Sequence, residues 1–314
     1  MYTCVYSRNL ALWSSLNLWF QPERQGSSSS TGSQVGRTYS HKFRMAGKRN
    51  RKSVEKRVGE GCGQGRGADY TPTIWVRDFS SKGFSSQGKG WKTGRGHQFL
   101  SFNELKYFYV LEWMEIVTDI REQFPLFLEE TLEIARLCGI EHSSNDGKPL
   151  VMTTDFVITV KKGMGTEDLV RTCKTVEELQ NSRTLEKLEI DRRYWQARGM
   201  NWGIVTDREI PGVLVSNMMQ IHDLHDPKSL YPLSEADIRQ VYCFLTKEVL
   251  KGEESLVAIS EKCDRHFCLE GGTSLTVAQY LIATRQWLVD MNLPLNTQFR
   301  EKLIFLRPPS TELE

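Results

Sequence analysis

The sequence predicts an α/β chain in two folded parts: a mixed sheet flanked by helices, then a small, mostly α-helical domain. Three observations carry this. Between residues 101 and 206, segments of helical period alternate with segments of strand period, the pattern of a sheet covered by helices. Beyond about residue 225 the strand pattern gives way to consecutive helical segments and a short terminal run of strand type. The chain is 314 residues long, with 39% apolar and 25% charged residues, enough to build two cores of ordinary size.

The first hundred residues differ from both parts. Residues 1–20 are loosely apolar but broken by Ser, Asn and Arg8, without the basic start and cleavage site of a signal peptide. Residues 26–35 (QGSSSSTGSQ) have the composition of a disordered segment. The texture changes at Met45, so residues 1–44 are expected to be an over-extended start or a disordered tail. Residues 42–57 carry eight Lys/Arg against one acid, Glu55, a run suited to gripping phosphates through counterion release. Glycines follow at 59, 61, 63, 65 and 67, too evenly spaced for G-x-G-x-x-G and without a P-loop GK[ST]. They read as a mobile strap. Thr73–Phe79 alternates like a short strand. Residues 80–97 read as a long basic loop in which Lys82, Lys89, Lys92 and Arg95, interleaved with Trp91 and His97, form a candidate DNA-binding surface. Together 45–97 make a basic, Gly-rich arm and loop.

The net charge of +2 is unevenly spread: +12 over residues 1–100, −7 over 101–224 and −3 over 225–314. A basic arm on an acidic centre points to a polyanionic partner for the arm and a cation for the centre. The seven cysteines (4, 62, 138, 173, 243, 263, 268) are odd in number and form no C-x-x-C, which argues against a disulfide framework or a cysteine zinc site. No apolar run approaches the ~20 residues of a membrane helix, and the chain is expected to be soluble and intracellular.

The catalytic domain is expected over 98–224. Ser101 and Glu104 open a helix running to about Glu115, with apolar positions at Leu105, Phe108, Tyr109, Val110 and Leu111. The S-x-x-E spelling is also a capping box, the purely structural account of Glu104. Val117–Phe124 alternates as a strand closed by Pro125. Glu129–Cys138 is a short helix ended by Gly139. Leu150–Val160 is the strongest strand signal in the chain. It carries one acid, Asp155, where a lone carboxylate is costly unless paired or holding a cation. Lys162-Gly163 begins a hairpin turn and Asp168–Thr175 returns, with Thr172 and Lys174 on one face and Cys173 on the other. Arg183–Arg198 is a helix ended by Gly199, and Trp202–Thr206 a further strand.

A helix bearing Glu, a strand bearing Asp, a hairpin, and a strand ending in Lys is the order of parts in metal-dependent nucleases of the restriction-endonuclease type. Phosphodiester hydrolysis needs an activated water and neutralised charge on phosphorus. Two carboxylates, Glu104 and Asp155, are suited to hold Mg²⁺, with Mn²⁺ as a substitute. Lys174 beside them orients or deprotonates the water and offsets developing charge. The structural alternative for Asp155 and Lys174 is a cross-strand ion pair. His222, His225, Cys263, His266 and Cys268 fit no zinc spacing. Glu189 with Arg193 reads as an i,i+4 pair, and Glu186 sits on the same helix.

Residues 225–314 begin after a His-Asp-Pro turn. Ser234 caps a helix to about Lys251, with Glu235 and Asp237 in its first turn. Residues 255–266 and 274–290 read as two more helices, and Asn292–Leu306 as a turn and one or two strands. Three helices and a hairpin resemble a winged-helix domain. Its net acidity fits a protein-docking role better than an independent hold on DNA.

The stretch from Gly63 to about Pro211 resembles the TnsA family, the endonuclease subunits of Tn-seven-like heteromeric transposases. The residues that carry the likeness are GQGRGADYTP (63–72), RDFSSKG (77–83), GWKTGR (90–95), SFNELKYFYVLEW (101–113), DIREQFPL (119–126), MTTDFVITV (152–160), TLEKLEIDRRYW (184–195) and WGIVTDREIP (202–211). The resemblance implies a restriction-endonuclease-like catalytic domain and a winged-helix C-terminal module. Glu104, Asp155 and Lys174 match the family's catalytic acid, acid and lysine. Thr172 departs from the family's Gln or Glu two residues before the Lys, so the backbone carbonyl of Cys173 or a water is expected to fill that metal position. The implied activity is Mg²⁺-dependent nicking of the 5′ strands at transposon ends during cut-and-paste transposition. The implied partners are transposon-end DNA, the DDE transposase subunit TnsB and the ATPase regulator TnsC, in the bacterial cytoplasm at the nucleoid. Two rival readings stand beside it: a stand-alone restriction- or repair-type nuclease, and a DNA-bound assembly adaptor with a decayed site, which Thr172 favours.

Overall fold

The computed structural model describes residues 54–76 and 86–309. The expected tail at 1–44, most of the basic run at 42–57, and Lys82 lie outside the described residues. Among the described residues no helix is long and apolar enough to cross a membrane.

A short helix α1 (Val54–Gly59) comes first. The glycine-rich segment after it, expected as a mobile strap, is fastened across the sheet instead. Gly63 N donates to Thr71 O at 2.7 Å, Gly67 N to Asp119 Oδ1 at 3.1 Å, and Arg66 Nη2 to Asp168 Oδ2 at 2.8 Å. Gly63 sits at φ +83°, and a Cβ there would stand 2.3 Å from Pro125 Cγ. Gly63→Ala is therefore expected to cost about 1–3 kcal/mol, read as a lower midpoint in urea unfolding. An unchanged midpoint would mean that the strap is not held against the sheet.

The strand expected at Thr73–Phe79 does not form over its described residues, 73–76. Their hydrogen-bonding groups are taken elsewhere. Thr73 O accepts from Arg57 Nη1 (2.9 Å), Thr73 Oγ1 donates to Gln123 O (2.8 Å), and Val76 N donates to Gln98 Oε1 (3.1 Å). Nor is the following segment a plain loop. Strands β1 (Ser86–Lys89) and β2 (Gly96–Phe99) pair antiparallel, with Gly94 at φ +70° in the turn and Gln87 Nε2 bonded to Gln98 Oε1 at 3.0 Å.

The main sheet follows. Helix α2 (Phe102–Trp113) starts at Ser101, whose side chain accepts from Glu104 N. Strand β3 (Val117–Pro125) leads to helix α3 (Leu128–Cys138), which Gly139 ends in the left-handed conformation. A minor hairpin of β4 (Ser144–Asn145) and β5 (Lys148–Pro149) precedes β6 (Thr153–Lys162) and β7 (Gly165–Lys174). Helix α4 (Ser182–Gln196) then crosses to β8 (Asn201–Thr206). The strand order is β3-β6-β7-β8. The first two pairings are antiparallel and β7–β8 is parallel, as a helical crossover allows.

Both faces of the sheet are covered, and strand alternation assigns each residue to a layer. Phe156, Ile158, Val160, Leu169 and Cys173 join Leu105, Phe108 and Leu111 of α2, together with Leu214 and Met218 of helix α5 (Gly212–Ile221). Val157 and Val170 join Leu126, Tyr194 and Trp195 in a second cluster against α4.

The C-terminal helices are α6 (Glu235–Lys251), α7 (Leu256–His266) and α8 (Thr273–Ala283). Ser234 and Asp237 form a full capping box on α6. The helix expected to reach 290 stops at Ala283, where Arg285 takes φ +61° and the chain turns into β9 (Leu288–Val289). Where a turn and strands were expected, a short helix α9 (Leu295–Arg300) forms before β10 (Phe305–Arg307) pairs with β9. Its start is supported from a distance. Asn217 of α5 accepts from Leu295 N at 3.0 Å and donates to Met291 O at 3.0 Å and Leu293 O at 2.9 Å. The cluster that covers α2 continues through Leu245, Leu281 and Trp287, so these helices share the core of the sheet. Arg285 also stacks 4.3 Å over the Trp113 ring and bonds Trp113 O and Glu115 at the end of α2.

Candidate active site

Glu104 enters the site from the first turn of α2 and is only 4% exposed. Its Oε2 accepts from Leu100 N (2.9 Å) and from Gln123 Nε2 (3.0 Å), while its own N–H donates to Ser101 Oγ (3.2 Å). The helix start is thus capped by Ser101, and the carboxylate reaches back one residue further than a standard capping box would take it. Burial, and next the negative charge of Asp155, push its carboxyl well above the usual carboxylate range.

Asp155 projects where β6 and β7 separate. Its Oδ2 accepts from Cys173 N at 2.8 Å and from Lys174 Nζ at 3.3 Å. Lys174 ends β7 and donates also to Cys173 O at 2.8 Å. Burial works against its charge, but Asp155 and Glu104 outweigh that and hold the ammonium above its ordinary range. The structure therefore brings Glu104, Asp155, Lys174 and the carbonyl of Cys173 together at one end of the sheet. The Cys173 thiol faces the core instead, and burial raises it far from thiolate chemistry.

Thr172, the departure from the family pattern, bonds away from this group. Its hydroxyl donates to Asp191 Oδ2 at 2.9 Å. Asp191, on α4, also accepts from Thr154 Oγ1 (2.5 Å), Trp195 Nε1 (3.1 Å) and Trp202 Nε1 (2.9 Å). Burial raises its carboxyl to about 6, and the neutral donors work against the shift. Sequence reasoning missed Asp191. The available signal was an acid spaced with Leu188 and Trp195 along the buried face of α4. Glu186 and Glu189, on the same helix, are occupied at the surface by Arg183 and by Arg192 and Arg193. Gln123, bonded to Glu104, was also missed, and it left no sequence signal.

The candidate DNA surface is corrected in two positions. Lys92 Nζ donates to Met114 O at 2.8 Å, and burial lowers its pKa to about 8, with Glu112 opposing. Arg95 is held by Glu122 through both guanidinium branches, at 2.8 and 2.6 Å, donates to Ile120 O, and lies over the Tyr70 ring. Both cations serve to fasten the β1–β2 hairpin and are not presented to a phosphate. Lys89 is exposed and bridges to Asp226 at 2.8 Å. Trp91 stacks against both His222 and His225. Among the described residues, no three His, Cys, Asp or Glu side chains stand together as a metal cluster.

The donors at the site are two carboxylates and a carbonyl, all hard oxygens, which fits Mg²⁺ or Mn²⁺ and not zinc. Burial and the neighbouring Asp155 carboxylate oppose ionisation of Glu104, an opposition that a divalent cation held there would offset.

A mixed four-stranded sheet with Asp and Lys on neighbouring strands and Glu fed in from a helix belongs to the restriction-endonuclease-like class. Residues 115–207 match the family model described as TnsA-like endonuclease N terminal, and residues 209–291 the one described as TnsA endonuclease C terminal. The chain is 37% identical over 230 residues to the transposon Tn7 transposition protein TnsA of Escherichia coli, covering 73% of this chain and 82% of that protein. The chain belongs to the TnsA endonuclease family. Asp155 and Lys174 fall inside the N-terminal match, whereas Glu104 precedes it.

Proposed function

We propose that this chain is the endonuclease subunit of a heteromeric transposase and cuts the 5′ strands at transposon ends. The observation that carries the reading is the meeting of Glu104, Asp155, Lys174 and the Cys173 carbonyl at one end of the sheet. Glu104, Asp155 and the Cys173 carbonyl would hold Mg²⁺, with Mn²⁺ able to replace it. When bound, the cation supplies Lewis-acid polarisation of a phosphate oxygen and neutralises charge. The Lys174 ammonium orients the attacking water and offsets the negative charge that grows on phosphorus. Thr172 stays with Asp191 and takes no part in holding the cation. TnsB and TnsC are the proposed partners, with residues 225–314 as the docking module, and they choose where the cut falls.

A transposon-end duplex labelled on either strand, incubated with partner subunits, tests this. Cutting of the 5′ strand is expected to require this chain, to be lost with a chelator and to be restored by Mg²⁺ or Mn²⁺, while the opposite strand is left to the partner transposase. Full 5′-strand cutting with this chain left out, or with chelator present, would overturn it.

A further inference from the structure

We infer that Gln123 is a positioning residue of the nuclease site, its side-chain amide fixing where the Glu104 carboxylate stands for a divalent cation. The inference rests on the nuclease reading above and adds a residue to it.

Gln123 lies in the interior of β3 and is 1% exposed, yet its backbone sits at φ +51°, in the left-handed region. Such a backbone at a non-glycine residue persists only where the surroundings over-determine it, and it gathers at functional sites. The surroundings here are specific. The β3–β6 ladder pairs Glu122 with Phe156 and Phe124 with Thr154, which leaves Gln123 opposite Asp155. Its carbonyl accepts from Thr73 Oγ1 at 2.8 Å, and the preceding carbonyl, of Glu122, accepts from Tyr70 at 2.9 Å. The strap that contains Tyr70 and Thr73 thus clamps the strand at this position.

The side chain is equally constrained. Thr153 Oγ1 donates to Gln123 Oε1 at 3.2 Å, which sets the amide orientation and turns Nε2 toward Glu104. Nε2 then donates to Glu104 Oε2 at 3.0 Å, the same oxygen that takes the Leu100 amide at 2.9 Å. Leu100 N and Gln123 Nε2 both reach Oε2, and the Ser101 hydroxyl stands beside the same carboxylate. Two fixed donors on Oε2 set the direction in which the carboxylate is presented, which is how outer partners orient metal-binding carboxylates. Thr153 lies two residues before Asp155, so one short chain of bonds ties both acids to the same frame.

The test is calorimetric titration of the full chain with Mn²⁺, without DNA, alongside nicking at graded metal concentration. Gln123→Met keeps the length and removes the donor. Gln123→Gly removes the side chain and accepts the left-handed backbone without strain. Both are expected to weaken Mn²⁺ binding by about 10–100-fold and to raise the metal concentration for half-maximal nicking by the same factor. Neither is expected to weaken it further in a Glu104→Gln background, where the two changes should prove non-additive. If Gln123 were only structural, both variants would lower the thermal midpoint and leave the Mn²⁺ affinity alone, and that result overturns the inference. Unchanged affinity in Gln123→Gly, together with lost nicking in Glu104→Ala, would overturn the role of Gln123 and keep the site. Full Mn²⁺ binding and nicking by Glu104→Ala would overturn the site and this inference with it.

Discussion

Lys174→Ala is expected to leave a folded chain whose nicking of transposon ends falls by about 10²–10⁴-fold, the range for losing one positioned charged group at a reacting centre. Lys174 is the last residue of β7 and its ammonium is tethered twice, to Cys173 O and Asp155. The side chain is about one-quarter exposed, so the stability change should be small beside the change in rate. Asp155→Ala should be as severe, because it removes an acid that holds the cation and the acceptor that fixes Lys174. Glu104→Ala separates two accounts of that residue. If Glu104 only supports the start of α2, its loss costs about 1 kcal/mol of stability and nicking stays near normal. If it holds the cation, nicking fails in a chain that still folds. The measurement is strand-specific cleavage with circular dichroism on the same preparations. Retained double-strand excision by Lys174→Ala would remove this lysine from the mechanism and favour an ion pair with only a structural role.

The main sheet was legible because β6 and β7 alternate cleanly about a Gly163 turn and bury both faces. Asp155 and Lys174 were legible as charged exceptions within that pattern, and Glu104 through their order along the chain. What stayed hidden depends on tertiary partners. Asp191 is one acid on a helix rich in arginine, and only the folded chain brings Thr154, Thr172 and Trp202 onto it. The β1–β2 hairpin has the composition of a loop, and its strands persist because Arg95, His97 and Gln98 all bind one carboxylate on β3. The same contacts explain why Arg95, a candidate DNA-binding cation, points inward, and the Met114 carbonyl draws Lys92 in likewise. Helix α9 was read as turn and strand because the side chain supporting its start, Asn217, is 78 residues away.

That carboxylate belongs to Glu122, and Glu122→Ala is expected to destabilise the chain by about 3–5 kcal/mol, the usual cost of removing one partner from a buried ion pair. Glu122 is fully buried. Oε1 accepts from Arg95 Nη1 (2.8 Å) and Gln98 N (3.1 Å), and Oε2 accepts from Arg95 Nη2 (2.6 Å) and bonds His97 Nδ1 (2.7 Å). Truncation leaves the Arg95 guanidinium buried without its counter-charge and frees the hairpin from β3. Because Gln123 is the next residue, metal affinity should fall in step. The link also has a pH signature. Burial opposes the charge of Glu122, but His97 and Arg95 outweigh it and hold the carboxyl near 2, against an ordinary 4.5. A carboxyl depressed in the folded state adds stability above its unfolded value and loses it as pH falls toward the folded value. The stability difference between wild type and Glu122→Gln, from urea unfolding, should therefore be level above about pH 5 and shrink between pH 4.5 and 2. Taking the difference removes Glu104 and Asp191, whose raised carboxyls act with the opposite sign at higher pH. A difference that stays flat through that acid window would show that the Arg95–Glu122–His97 group does not hold the hairpin to the sheet.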